Sequence, residues 1–235
     1  GAFIAALAGA EVSKIISGKT DVDIVLVPMV TILVGGVVGL YIGPVMATFM
    51  GYIGAFINMA TELHPIPMGI IVSVSMGLVL TLPISSAALA ISLKLSGLAA
   101  GASTVGCAAN MIGFAVASFR ENGIGGFIAQ GIGTSMLQIP NIVKNPRIWL
   151  PAIISSAILG PISTHILKME SNAIGAGMGT SGLVGQFAMI DTMGASPKVI
   201  IMILFMHLLL PGLISYGVAQ WMRKRDYIKP GDMKL

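Results

Sequence analysis

Five uncharged runs, Ile24–Thr61, Leu95–Phe119, Gly123–Val143, Ser171–Ile190 and Val199–Met222, divide this chain. Each is long enough to cross a bilayer, whose hydrocarbon core takes about 20 apolar residues of helix. Charged side chains make up 9% of the residues, where a soluble domain carries about 25%; hydrophobic ones make up 55%, and mean hydropathy is +0.94. The runs are continuously apolar and rich in Gly and Ala, whereas strands of a membrane barrel alternate in polarity over roughly ten residues. Lipid offers no partner to a bare backbone group, so an all-α integral membrane fold with several crossings follows.

Four short strings interrupt this pattern. Gly131–Leu137 (GIGTSML) and Gly177–Leu183 (GMGTSGL) both fit G-x-G-T-S-x-L, and the second sits in the Gly-rich stretch Gly175–Gln186. Pro83–Ser86 (PISS) and Pro161–Thr164 (PIST) form the other pair, so the order along the chain is PISS, GTS, PIST, GTS with unequal spacing. Paired Gly/Pro-interrupted segments mark substrate sites in helical transporters. Irregular chain at membrane depth is tolerated only against protein or a watery cavity. The strings therefore predict a cavity lined by Ser85, Ser86, Thr134, Ser135, Ser163, Thr164, Thr180 and Ser181, with the amides of Gln138, Asn141 and Gln186 nearby. Neutral hydroxyls and amides suit a polyhydroxylated or otherwise uncharged polar solute, and half-helix N-termini can favour an anionic group. The competing readings are close helix packing through small residues for the GTS strings, and simple proline kinks for the PIS strings.

Taken in order, residues 1–16 form a short Ala-rich helix, and Ser17–Asp23 form a polar loop at a membrane face. The run from Asp23 to Glu62 is too long for one crossing. Gly43-Pro44 divides it into a span near 24–43 and a helix near 45–61 that either crosses or lies along the surface. Residues 64–95 read as a kinked span or a hairpin turning at Pro83, and 96–119 as a span dense in small residues. The last span is 197–222. Residues 1–62 thus read as scaffold, 63–222 as a transport-type domain with two broken elements, and 223–235 as a basic tail. Trp221 followed by Arg223, Lys224 and Arg225 puts that tail on the cytoplasmic side, and this anchoring role accounts for the net charge of +4 without nucleic acid.

Glu62 and His64 precede the first broken element, and His165 follows Thr164 inside an apolar run. A carboxylate and imidazoles there can bind hydroxyls or move a proton; the bland alternative is an interfacial loop. Intramembrane ionisable groups are costly, which favours a role for His165 and a buried hydrogen bond for His207. Cys107 is the only cysteine, so an intrachain disulfide or a cysteine metal cluster is excluded, and its Gly/Ala neighbours imply a small buried thiol. No metal-ligand spacing, phosphate loop, nucleophile elbow or dinucleotide fingerprint occurs, so no cofactor is expected. The opening GAFIAALAGA lacks the basic flank of a signal peptide and predicts that earlier membrane segments precede it.

The strings GAFIAAL, SGKTDVDI, MGIIVSVSMGLVLTLPISSAA, SGLAAGASTVGCA, GTSMLQIPN and GMGTSGLVGQ together resemble the membrane subunit IIC of the bacterial sugar phosphotransferase system. They are most similar to the EIIC-like branch that includes the perfringolysin regulator, whose members are linked by name to regulation. The resemblance covers nearly the whole chain. It implies a homodimeric permease of the bacterial inner membrane, with two re-entrant hairpins and an interfacial helix forming a sugar site in a domain that moves against a dimeric scaffold. Residues 64–95 match the first hairpin and the region around 148–186 the second. Phosphate arrives on a separate cytoplasmic IIB subunit, so Cys107 does not take that subunit's phosphocysteine role.

Three functions fit these observations: a IIC-type permease for a sugar or sugar-like solute, a non-transporting sensor or regulator with the same pocket, and a proton-coupled carrier using Glu62, His64 or His165. The expected site comprises Glu62, His64, Ser85, Ser86, Thr134, Ser135, Gln138, Asn141, Thr164, His165, Thr180, Ser181 and Gln186.

Overall fold

A computed structural model describes residues 2–19 and 22–235; the expected loop at Ser17–Asp23 therefore falls partly outside the described residues. The described chain is helix, turn and irregular segment, with one isolated bridge between Gly97 and Ser171. It divides into two compact units between Phe56 and Ile57.

The first unit holds α1 (Ala2–Ile16) and most of α2 (Asp23–Thr61). A Cβ on Gly9 of α1 would lie 2.6 Å from the Thr31 carbonyl oxygen, so a bare glycine is what lets the two backbones touch. The expected division at Gly43-Pro44 does not occur, and α2 runs unbroken through both Pro28 and Pro44. An internal proline forfeits one helical hydrogen bond. A full break in this apolar run would free several backbone groups at once, whereas Thr31 and Thr48 each bond one carbonyl at or beside a proline, those of Val27 and Pro44. At about 1.5 Å per residue, its 39 residues exceed a single crossing of a core roughly 30 Å thick.

The second unit is built around α5 (Gly97–Ala117), which is buried along almost its entire length and so is enclosed by protein. Its small residues make that possible. A Cβ on Gly106 would collide with the backbone of Ser73, and one on Gly101 with the Met169 carbonyl. Helical residues Pro146–Ile166, whose α-helical part is α8 (Leu150–Pro161), run antiparallel to α5. Ala152 lies by Gly113, and Ser156 hydrogen-bonds the Gly106 carbonyl. Helical residues Pro197–Lys224, including α11 (Pro197–Ile203) and α12 (Leu210–Lys224), run the other way, with Ser215 by Gly113 and Arg223 bonded to the Ala117 carbonyl.

Between these crossings the chain makes three hairpins. The first is α3 (Pro65–Thr81), a turn at Leu82–Ser85 and α4 (Ser86–Ser92). Its two ends meet at the N-terminal end of α5, where Pro65 and Met68 share a cleft with Leu93–Ser96 and Leu98. The second is α6 (Phe119–Ile128) with a π turn at Ala129–Gly133, a break at Thr134, a 3₁₀ turn and α7 (Ile139–Lys144). It enters and leaves beside the C-terminal end of α5. The third comprises α9 (Ala173–Ala176), an irregular turn and α10 (Val184–Met193). Its ends close where Ser171 pairs with Gly97 and the Glu170 amide meets Met193 Sδ, back at the N-terminal end of α5.

This corrects the expected second hairpin at 148–186. Residues 146–166 are one continuous crossing, and the broken element begins only after it. Pro161 does not break the chain: the helical path continues as a wide π turn at Ile162–Ile166, and Thr164 Oγ1 ties it to α3 by donating to the Pro65 carbonyl at 2.6 Å. The segment after Arg223 is also more than a solvated tail: Ile228 and Met233 are buried in a core cluster with Phe114, Ala117 and Ile142.

Candidate functional site

The tips of the three hairpins meet against the middle of α5. A helix end leaves its last carbonyls without intrahelical donors, and in an apolar interior each needs another partner. The hydroxyls of the neighbouring strings supply them. Thr180 donates to the Gly131 carbonyl at 2.5 Å and Ser181 to the Gly133 carbonyl at 3.0 Å, so the second GTS string caps the helix end of the first. Ser86 donates to the Gly177 carbonyl at 2.6 Å, and Ser103 of α5 donates to the Ala176 carbonyl. Thr81, at the end of α3, shares a hydrogen bond of 2.8 Å with Ser135. These bonds link all three breaks to one another.

Within this cluster Thr134 caps its own chain, accepting from the Met136 amide at 3.1 Å, and Ser85 likewise caps α4 by accepting from Ala88. Gly182 and Leu183 both take left-handed backbone conformations, at φ of 54° and 61°. Thr180, Ser135 and Ser86 are buried, whereas Ser85, Gly133 and Gly182 are exposed and Thr134 and Ser181 half-buried. The cluster thus has a closed back and a polar open rim. None of its hydroxyl-bearing residues is ionisable.

The remaining expected residues lie elsewhere. Gln138 and Asn141 are on the returning arm of the second hairpin, where their amides bond Gln130 and the backbone of Met233 and Lys234. Gln186, in the first turn of α10, meets His207 Nδ1 at 3.0 Å, which gives the buried imidazole the hydrogen bond expected of it. Its Oε1 and His207 Nε2 have no protein partner among the described residues. Glu62 and His64 are exposed between α2 and α3, and His165 is exposed beside Thr164. The bond from Thr164 to Pro65 brings the His64 and His165 neighbourhoods together at the N-terminal end of α5. They lie next to the cleft of about 450 Å³, whose polar lining includes Asn58, Thr61, Lys94 and Ser96. Along α3 that end lies about 25 Å from Thr81.

Two participants, Thr81 and Ser103, carry no sequence signal of their own. A lone hydroxyl in an apolar helix reads as back-bonding to its own turn. Cys107 is buried against the carbonyls of Met76 and Ala176, both 3.5 Å away, as a packed thiol.

The family model described as phosphotransferase system, EIIC, matches residues 1–235. No curated protein and no solved structure matches the chain. With the match running from end to end, and with apolar helices long enough to cross a bilayer, the chain belongs to the EIIC family of the phosphotransferase system and is a multi-pass membrane subunit of permease type.

Proposed function

We propose that this subunit binds a sugar or sugar-like polar solute on the rim where the three hairpin tips meet, and carries it by alternating access. The observation that supports this is the linkage of the two GTS strings through Thr180 and Ser181. It joins hairpins that enter from opposite ends of α5 and leaves the neutral hydroxyls of Ser85, Thr134 and Ser181 at the accessible edge of the cluster. Such groups match the alternating donors and acceptors of a sugar. Ser85, Thr134 and Ser181 form the open face of the site, with the buried Ser86, Ser135 and Thr180 and the amides of Gln138, Asn141 and Gln186 supporting it. Glu62, His64, Thr164 and His165 flank the cleft at the membrane face and serve solute entry. Phosphate is delivered by a separate IIB protein on the side of the basic segment, and the subunit works as a homodimer.

Uptake into proteoliposomes with and without a phosphorylated IIB protein tests the reading. Phosphorylated product inside the vesicle is the expected result. Binding without flux identifies a sensor instead, and flux driven by a pH gradient without IIB identifies a proton-coupled carrier. At residue level, Thr180→Val and Ser181→Ala should each weaken solute binding while the protein still inserts. Unchanged affinity in both removes the second GTS string from the site.

A further inference from the structure

Residues 225–235 read as a basic, solvated anchor, yet they pack as a series of turns across the mouth of the second hairpin. Met233 is fully buried and Ile228 nearly so. The backbone of three consecutive residues holds both arms of the hairpin. On the entering arm, Asn122 donates to the Met233 carbonyl and accepts from the Leu235 amide, each at 2.8 Å. On the returning arm, Gln138 donates to the Met233 carbonyl and Asn141 to the Lys234 carbonyl, each at 2.9 Å. Both N–H groups of Gln138 are used, the other going to Gln130, and Asn141 spends its second on Gln138. The Glu121 carboxylate adds bonds to Arg223 and to the Gly231 amide.

The returning arm consists of a four-residue 3₁₀ turn and a six-residue helix. Helices this short are unstable alone, so tertiary contacts must set the arm's position. Burial of Met233 and the carbonyls of Met233 and Lys234 supply those contacts. We infer that residues Tyr227–Leu235 are a strap whose function is to position Thr134 and Ser135, at the tip of the second hairpin, within the solute site. As a statement about that site, the inference rests on the proposed function; the strap's hold on the hairpin can be measured without any solute.

Hydrogen exchange on the full chain in lipid nanodiscs makes the test, comparing the native sequence with Met233→Asp, Asn141→Ala and Met233→Leu. The two disruptive changes should speed exchange at residues 129–141 by tenfold or more and leave α5 and residues 173–193 protected. Met233→Leu should retain native protection. Unchanged exchange at 129–141 overturns the inference, as does a rise shared equally by α5, which would mark a general loss of stability. Binding of a panel of sugars to the same proteins should then show weaker affinity in Asn141→Ala. If no form binds a sugar, the functional reading fails while the exchange result still decides the strap. If localised loosening leaves affinity intact, the strap is structural and its positioning role is overturned.

Discussion

In the first GTS string Gly133 faces open space and Gly131 would make only ordinary contact with Ala115 and Ile112; Thr134 caps its own turn, and Ser135 bonds to Thr81 of α3. In the second, Gly177 and Gly179 press against the backbones of α4 and α5, and both hydroxyls reach across to the first string. One copy is capped and the other does the capping. The difference shows that a shared string marks where backbone is freed, while its neighbours decide which copy supplies the donors.

The largest test of this asymmetry is at the glycines. A Cβ on Gly179 would sit 2.7 Å from the Ala108 nitrogen, at a backbone φ of +54°, whereas one on Gly133 meets nothing within 4 Å. Gly179→Ala should cost about 3 kcal/mol or more from overpacking and strain. Gly133→Ala should stay within about 1 kcal/mol of the native protein. Reversible unfolding in mixed micelles measures both, and equal losses would break the comparison.

Next come the threonines. Thr180→Val leaves the Gly131 carbonyl without its donor and should cost about 1–2 kcal/mol in the same assay. Thr134→Val loses a local cap and should cost about 1 kcal/mol. The first loss should also increase hydrogen exchange near Gly131, a distant segment, while the second should act only on residues 135–138.

The smallest effect sharpens how the first string is tied to α3. A double-mutant cycle on Thr81→Val and Ser135→Ala should show coupling of roughly 0.5–1 kcal/mol through their shared hydrogen bond. The same cycle on Thr81→Val with Ser181→Ala should show less than about 0.3 kcal/mol, since no bond joins them. Equal couplings would mean that the hairpin tips act as one undivided unit.

Much of the fold is legible in the residues themselves. The spans at 96–119 and 197–222, the turn at Pro83 and the breaks at both GTS strings follow from local composition, because freed backbone needs Gly, Pro and hydroxyls nearby. Pro161 misleads, since its string resembles Pro83–Ser86 but lies within a packed crossing where a π turn accommodates it. Gln138 and Asn141 look like solute ligands because amides are rare in lipid. Gln138 spends its donors on Gln130 and the Met233 carbonyl, and Asn141 on Gln138 and the Lys234 carbonyl, both carbonyls lying in a segment more than ninety residues away in sequence. Glu62, His64 and His165 carry ligand chemistry but are exposed near the N-terminal end of α5, and the length of α3 separates that end from Thr81.

By itself, then, the sequence determines a helical membrane protein with backbone interruptions rich in hydroxyls, since lipid penalises every unpaired amide and carbonyl alike. Only the tertiary structure decides that three interruptions converge on α5, that the second GTS string serves the first, and that residues 227–235 hold the second hairpin. Each of those outcomes depends on which donor reaches which carbonyl across tens of residues. Small residues along α5 set that reach, by fixing how near each hairpin can come.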